Sequence, residues 1–194
     1  LKGVSSWQEL KSRISELDVT EKERGDVFEE FAKAYFTLSK EHNFKSVYKL
    51  SEAPRNVRED LNLYKRDILG VDGICIDHDG KTYAYQAKFR TGVKSLTKND
   101  ISMFLGYSEK ADSKILITTT AEVPKESKQR IDLIINNGHL NDLSEDFFRR
   151  LIIYAKEKKI VEPKKIEPHI TAREAIAAGV KHYKKNDRGQ LILP

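Results

Sequence analysis

Residues 68–89 read ILGVDGICIDHDGKTYAYQAKF, and this stretch decides the fold. Its first half places apolar residues on both faces, which predicts a strand that is covered on both sides. In its second half Gln86 and Lys88 alternate with apolar residues, so these two polar side chains share one face of a second strand. Residues 78–80, His-Asp-Gly, are typical of a tight turn. The stretch therefore predicts a β-hairpin.

The length of the hairpin loop decides which residues face each other. A two-residue loop at 79–80 would place Asp72 opposite Ala87, on the wrong face for the other polar residues. A three-residue loop at 78–80, with its glycine in the left-handed conformation, pairs Asp72 with Gln86. We predict this longer loop, or an equivalent bulge near one of the glycines beside Asp72. Either gathers three polar groups, Asp72, Gln86 and Lys88.

The composition limits the possible partners. The 194 residues suit one medium domain with appendages, and 35 basic against 30 acidic residues give a net charge of +5. This mild excess is compatible with nucleic acid binding. The single cysteine, Cys75, lies in an apolar strand, so it forms no internal disulfide and should be buried. No apolar run approaches membrane-spanning length and residues 1–3 do not begin a signal peptide, which predicts a cytoplasmic protein without a membrane partner.

Helices and strands are expected on both sides of the hairpin. Ser6 and Thr20 each begin a capping-box pattern, and the second predicts a helix that runs through Ser39 with Glu29 beside its apolar stripe. Residues 44–50 alternate as a strand does. The polar segment 51–66 suits either a substrate contact or a solvated loop. Thr97 then caps a helix, and residues 114–119 form a short buried strand.

The remaining chain predicts further helices and a change of composition. Pro124 should open a helix that Gly138 ends and that buries three isoleucines, Ile131, Ile134 and Ile135. Ser144 caps another helix. Residues 156–168 read KEKKIVEPKKIEP, which is typical of a linker. The pattern Thr171-x-x-Glu174 caps a further short helix. A strand at 190–193 that the chain end interrupts favours a truncated larger protein.

The order helix, strand, strand, strand, helix, strand spans residues 24–120. With Asp72 on the second strand and Gln86-Ala87-Lys88 on the third, it resembles the PD-(D/E)xK restriction-endonuclease-like superfamily. The Gln-x-Lys form and the helix start Gly25-x-x-Phe28-Glu29 are similar to the Mrr-type branch. GDVFEEFAKAYFTL and YAYQAKF resemble nuclease domains at the N-termini of helicase-bearing restriction and phage-defence proteins, including type ISP and other type I-like enzymes.

This resemblance implies an α/β fold with a restriction-endonuclease-like αβββαβ core, in which helices flank a mixed central sheet. The nuclease domain would span residues 1–155, with its core at 24–120, and the linker 156–168 would follow. Residues 169–194 resemble the run into the first helicase motif, so they would begin a truncated helicase or ATPase domain. No glycine-rich phosphate loop is present, and this chain should not hydrolyse ATP by itself.

The resemblance also implies a metal-dependent site. Mg²⁺, with Mn²⁺ as a substitute, takes oxygen ligands, which Asp72, the Gln86 amide, the Ala87 carbonyl and Glu29 could supply. Lys88 would orient or deprotonate a water molecule and offset negative charge on the phosphate. The chain departs from the motif at Val71, which replaces a proline, and at Gln86, which replaces a carboxylate. Asp67 is a less suitable second carboxylate, and the scattered histidines do not indicate zinc.

Three basic residues after the site, Arg90, Lys94 and Lys98, suit contacts with DNA phosphates or a solvated loop. The expected partners are double-stranded DNA and, in the same polypeptide, helicase or translocase and methyltransferase or specificity domains. The sequence thus predicts a Mg²⁺-dependent DNA endonuclease domain of a larger ATP-dependent restriction-modification or phage-defence enzyme. The neutral Gln86 leaves open a non-catalytic DNA-binding or coupling module. A stand-alone junction resolvase or repair nuclease would require dimerisation.

Overall fold

The computed structural model describes residues 3–63, 70–92, 95–158, 184–185 and 191–192. Its chain divides into two compact units, Leu1–Glu157 and Lys158–Pro194. In the first unit the strands are β1 (Ser46–Lys49), β2 (Gly73–Ile76), β3 (Thr82–Lys88), β4 (Ser113–Thr118) and β5 (Leu133–Ile135). The helices are α1 (Trp7–Ser15), α2 (Glu21–Leu38), α3 (Arg55–Asp60), α4 (Lys98–Tyr107), α5 (Lys125–Lys128), α6 (Asn137–Asn141) and α7 (Glu145–Glu157).

The five strands form one mixed sheet in the order β1-β2-β3-β4-β5. The first three strands pair antiparallel, whereas β3-β4 and β4-β5 pair parallel. The carboxyl ends of β3, β4 and β5 therefore meet at one edge of the sheet, beside the amino end of β2. The predicted fold class is confirmed, because helices flank a mixed central sheet and the order of the predicted core elements is present.

The hairpin has the predicted register. Gly73 pairs with Tyr85 and Ile76 with Thr82, which is the predicted register over the length of β2. Asp72 lies just outside these pairs, and its N–H donates to the Tyr85 carbonyl instead of pairing with Gln86. The Asp77 N–H donates to the Lys81 carbonyl at 3.1 Å, which leaves the three-residue loop 78–80. Gly80 has φ +85°, in the left-handed region that glycine adopts at little cost. The predicted loop length and turn conformation are confirmed.

Two hydrophobic clusters cover the two faces of the sheet. Tyr85 belongs to the cluster that includes α1, α2 and α7, whereas Ala84 belongs to the cluster that includes α4. The alternation continues into β4, where Leu116 lies on the α4 side and its two neighbours lie on the α2 side. Cys75 is completely buried in the α2 cluster, as predicted, and burial raises the pKa of its thiol.

The helix caps follow the sequence signals. Thr20 accepts a hydrogen bond from the Glu23 N–H, and the Glu23 carboxylate accepts one from the Thr20 N–H, which completes the predicted capping box of α2. Thr97 and Asp100 form the same arrangement at the start of α4. Each cap satisfies backbone N–H groups that the first helical turn leaves without partners.

The predicted helix after Pro124 was wrong beyond its first turn. α5 ends at Lys128, and Leu133–Ile135 forms β5 instead, pairing parallel with β4. The physical reason is that the free edge of β4 offers backbone partners to a short apolar segment rich in β-branched side chains. Gly138 lies inside α6 rather than ending a helix, and Asn136 caps that helix.

Segment 51–66 also differs from the predicted loop. A 3₁₀ helix (Leu50–Glu52) and α3 occupy much of it, and three buried residues, Ala53, Leu61 and Leu63, join the α4-side cluster. The end of the predicted linker and the predicted helix at 171–174 lie outside the described residues, and α7 continues to Glu157. In the second unit, β6 (Lys184–Lys185) pairs antiparallel with β7 (Leu191–Ile192), which falls within the predicted strand at 190–193. No helix among the described residues is long and apolar enough to cross a membrane.

We expect Gly73→Ala to lower the free energy of unfolding by about 3 kcal/mol, the upper end of the usual cost of overpacking. A Cβ atom there would lie 2.2 Å from the Tyr48 carbonyl oxygen and 2.3 Å from the Tyr85 hydroxyl. Urea denaturation measures the change. Gly106→Ala is the matched control, because no atom lies within 4 Å of its added Cβ. A wild-type midpoint for Gly73→Ala would contradict the close packing of β1, β2 and β3.

Candidate active site at the carboxyl edge of the sheet

Asp72 lies one residue before β2 and interrupts the regular pairing with β3. Its N–H donates to the Tyr85 carbonyl at 2.9 Å, although Tyr85 is the register partner of Gly73. The Asp72 carboxylate then accepts the Ala87 N–H at 2.7 Å. A side-chain oxygen thus serves a backbone donor of the neighbouring strand, which fixes the carboxylate against the Gln86-Ala87-Lys88 segment.

Gln86 provides an unsatisfied oxygen at this position. Only 1% of the residue is exposed, and its Oε1 has no hydrogen-bond partner among the described residues. Its Nε2 lies beside Gly70, where an added Cβ would be 3.3 Å away. A buried polar atom without a partner costs about 1–3 kcal/mol. Such an oxygen is a suitable place for a ligand that accepts its lone pairs.

Lys88 shares the Gln86 face of β3 and is half-buried. Its backbone is held from β4, because the Lys88 carbonyl accepts the Thr119 N–H at 3.1 Å and the Thr118 hydroxyl at 3.1 Å. The Lys88 charge acts on Asp72 and opposes the rise in the pKa of that carboxyl group. Burial is the larger influence, so the Asp72 pKa lies above its ordinary value.

Glu29 approaches the same site from α2. Burial raises the pKa of Glu29 to about 7, and the negative charge of nearby Asp72 adds to the rise. Like charges raise each other's pKa only when they lie close together. The structure therefore brings four of the predicted site residues together from α2 and the hairpin, Glu29, Asp72, Ala87 and Lys88. Gln86 directly precedes Ala87 on β3.

Two charged residues near the site were missed by the sequence analysis. Asp26 lies three residues before Glu29 on α2, and its charge also raises the Glu29 pKa. Helical spacing could have indicated this neighbour. Lys49, at the end of β1, places its ammonium nitrogen 3.7 Å from Glu29 Oε2 and 2.8 Å from Glu30 Oε1. No local motif marks Lys49, because the packing of β1 against α2 and its pairing with β2 bring it here.

The predicted DNA-contacting residues have protein partners. An Arg90 guanidinium nitrogen lies 2.6 Å from Asp100 Oδ1, and the guanidinium also donates to the Phe89 carbonyl at 3.0 Å. Lys98 forms an exposed ion pair with Glu126. Lys94 and the less suitable carboxylate Asp67 lie outside the described residues. Contacts of these basic residues with DNA remain predictions.

The donors gathered here fit a hard divalent cation by their chemistry. Carboxylate, amide and peptide oxygens are the ligands that Mg²⁺ and Mn²⁺ prefer, and the unpartnered Gln86 Oε1 is the structural observation that favours such a ligand. Within the described residues, no three His, Cys, Asp or Glu side chains are arranged to hold a metal. Binding would thus depend on the amide and the Ala87 carbonyl besides Asp72 and Glu29.

A comparison with protein families decides the class. Residues 37–147, more than half of the chain, match the Mrr_cat_2 restriction endonuclease family. The chain belongs to this family. Membership in a restriction endonuclease family implies a nuclease, a hydrolase that acts on DNA. The range matched by the Mrr_cat_2 family includes Asp72, Gln86 and Lys88 and begins after Glu29.

Two solved structures are similar to the chain. The ATP-dependent type ISP restriction-modification enzyme LlaBIII bound to DNA matches 72% of this chain at 20% identity and a TM-score of 0.52. This likeness shows a shared fold, and the chain covers 8% of that enzyme. The MspJI restriction endonuclease in complex with a 27-mer oligonucleotide matches 88% of this chain and 38% of its own at 14% identity and a TM-score of 0.44. No curated protein matches the chain.

The raised pKa of Glu29 predicts a pH-dependent stability difference. An acid whose pKa is higher in the folded state stabilises the fold below its unfolded pKa and loses this contribution as the pH rises through about 7. We therefore expect Glu29→Gln, in EDTA, to be more stable than wild type by about 1–3 kcal/mol at pH 8, with the difference vanishing near pH 4.

Urea denaturation across this pH range measures the difference. Glu23→Gln is the control, since the capping hydrogen bonds of Glu23 lower its pKa and its removal should destabilise the fold above pH 4. Equal stability of Glu29→Gln and wild type at pH 8 would contradict the raised pKa of Glu29.

Proposed function

We propose that this chain is a Mg²⁺-dependent endonuclease domain that hydrolyses phosphodiester bonds of double-stranded DNA, with Mn²⁺ as an effective substitute. The observation that supports it most is the hydrogen bond from the Ala87 N–H to the Asp72 carboxylate. This bond lies beside Lys88 and the Gln86 oxygen, which has no hydrogen-bond partner among the described residues. Family membership supplies the reaction class. Such a function implies a cytoplasmic location, where the DNA substrate is found.

Each site residue has a distinct role in this proposal. Asp72, Gln86, the Ala87 carbonyl and Glu29 would hold the divalent cation, which would supply positive charge to polarise the scissile phosphate and to lower the pKa of a water molecule. Lys88 orients or deprotonates the attacking water and offsets charge on the phosphate oxygens. The Thr118 and Thr119 donors on the Lys88 carbonyl hold the backbone of this lysine against the end of β4.

A larger enzyme is part of the proposal. The likeness to a DNA-bound, ATP-dependent type ISP enzyme of which this chain covers only 8% supports it, as does the resemblance of residues 169–194 to a helicase lead-in. In that setting helicase or translocase and methyltransferase or specificity domains of the same polypeptide would deliver DNA to the nuclease. The alternative is a nuclease-fold module that binds DNA or couples domains without cutting. The neutral Gln86 amide favours this alternative, because it binds cations more weakly than a carboxylate.

Plasmid cleavage tests the catalytic proposal. We expect the chain to nick supercoiled DNA with Mg²⁺ or Mn²⁺ and not with EDTA. Lys88→Ala and Asp72→Asn should each reduce the rate by about 100-fold or more, since they remove charge stabilisation and a cation ligand. Gel densitometry of nicked and linear products over time gives the rates. Lys81→Ala, at the opposite end of β3, is the matched control and should retain the wild-type rate.

If the chain alone is inactive, the same variants are to be assayed with ATP in the larger enzyme proposed above. Cleavage that survives both Lys88→Ala and Asp72→Asn would refute the catalytic assignment. DNA binding without cleavage in every form of the protein would favour the non-catalytic module.

DNA binding tests the predicted phosphate contacts at Lys98. In EDTA, Lys98→Ala should weaken binding to a duplex and reduce the slope of log affinity against log salt by about one, as loss of one phosphate contact does. Glu126→Gln should act oppositely, because it frees Lys98 from its ion pair. Fluorescence anisotropy at several salt concentrations measures both effects. An unchanged slope in both variants would remove Lys98 from the DNA interface.

A further inference from the structure

Lys49 occupies a charged position that the proposed chemistry does not use. It pairs with Gly73, the residue after Asp72, across β1 and β2. Only 19% of the side chain is exposed. Its ammonium group contacts Glu29 and Glu30, and its charge opposes the rise in the pKa of both Glu29 and Asp72. The Lys49 charge therefore acts both on the carboxylates of α2 and on Asp72.

The two contacts of the ammonium group are unequal. Its distance to Glu30 Oε1 is 2.8 Å, a hydrogen bond, whereas its distance to Glu29 Oε2 is 3.7 Å. Glu30 is outside the set of residues proposed to hold the cation. Glu30 therefore holds the ammonium group closer to itself than to Glu29.

The surrounding charges limit where Lys49 can move. The Lys49 backbone N–H donates to Glu52 Oε2 at 3.4 Å, and the same carboxylate forms an ion pair with Lys33. Glu52, the next acidic residue near Lys49, thus already has Lys33 as its cationic partner. A half-buried ammonium group needs a charged partner. The Lys49 ammonium group contacts the carboxylates of Glu30 and Glu29.

We propose that Lys49 is the resident counter-ion of the Asp72–Glu29 pair and that Glu30 holds it off this pair, so that the two residues together set the affinity of the site for a divalent cation. The inference rests on the proposed metal-dependent function and deepens it. Lys49 is a positioning residue, since it acts through Glu29 and Asp72. Without a divalent cation its charge offsets the repulsion between the two carboxylates, and its field weakens the binding of a second positive ion.

This arrangement predicts that Lys49→Met and Glu30→Gln change the affinity for a divalent cation in opposite directions. Lys49→Met removes the competing charge, so a divalent cation should bind about tenfold more tightly, while the protein without metal loses a counter-ion and becomes less stable. Glu30→Gln removes the holding partner, so the ammonium group should move onto Glu29 and the cation should bind more weakly. A purely structural role for Lys49 would weaken cation binding in both variants.

Calorimetric titration of the chain with Mn²⁺ tests the proposal. Asp72→Asn identifies the relevant site, since binding there should be lost. Lys33→Met is the matched control, because Lys33 lies on α2 and pairs with Glu52. This substitution should leave the Mn²⁺ affinity unchanged. Thermal unfolding in EDTA and in Mn²⁺ adds a second readout. Lys49→Met should show a lower midpoint in EDTA and a larger upward shift on adding Mn²⁺.

The outcomes separate this inference from the proposed function. Tighter binding in Lys49→Met with weaker binding in Glu30→Gln supports the counter-ion role. Asp72-dependent binding that is unchanged or weaker in Lys49→Met overturns it and leaves the metal-dependent function intact. An absence of Asp72-dependent binding in wild type and in Lys49→Met alike overturns both. If Lys49→Met does not fold, unchanged or tighter binding in Glu30→Gln still refutes the proposal.

Discussion

The hydrogen bond from the Ala87 N–H to the Asp72 carboxylate is the contact on which the site depends. It exists because Asp72 leaves the regular ladder one residue before β2, while Gly73 still pairs with Tyr85. Gly73 has no Cβ to collide with the Tyr85 ring or with the Tyr48 carbonyl. The position of the carboxylate is thus a consequence of strand register, and a shift of one residue would turn it away from Lys88.

The local parts of this arrangement could be predicted from the sequence. The His-Asp-Gly turn gave the loop length, and alternation along β3 gave the face that Gln86 and Lys88 share. The capping boxes at Thr20 and Thr97 marked the starts of α2 and α4. Each of these features depends on residues that are close in the chain, so propensity and periodicity were sufficient.

The remaining parts depend on distant partners. The apolar run at 131–135 suits a helix or a strand by periodicity, and the free edge of β4 decided the outcome. Lys49 reaches Glu29 through the packing of β1 against α2, which no local signal fixes. The charges that surround the site were therefore harder to predict than the motif itself, because charge balance is a property of the tertiary structure.

The mixed sheet has a further consequence for the order in which its contacts can form. Asp72 and Ala87 are 15 residues apart, whereas Lys88 and its β4 partner Thr118 are 30 residues apart with a helical crossover between them. The entropy lost on loop closure rises with this separation, so the antiparallel hairpin is the cheaper structure to form. The polar motif is thus contained in a short segment of chain, whereas the contacts with α2 and β4, which add the remaining charge and rigidity, close longer segments.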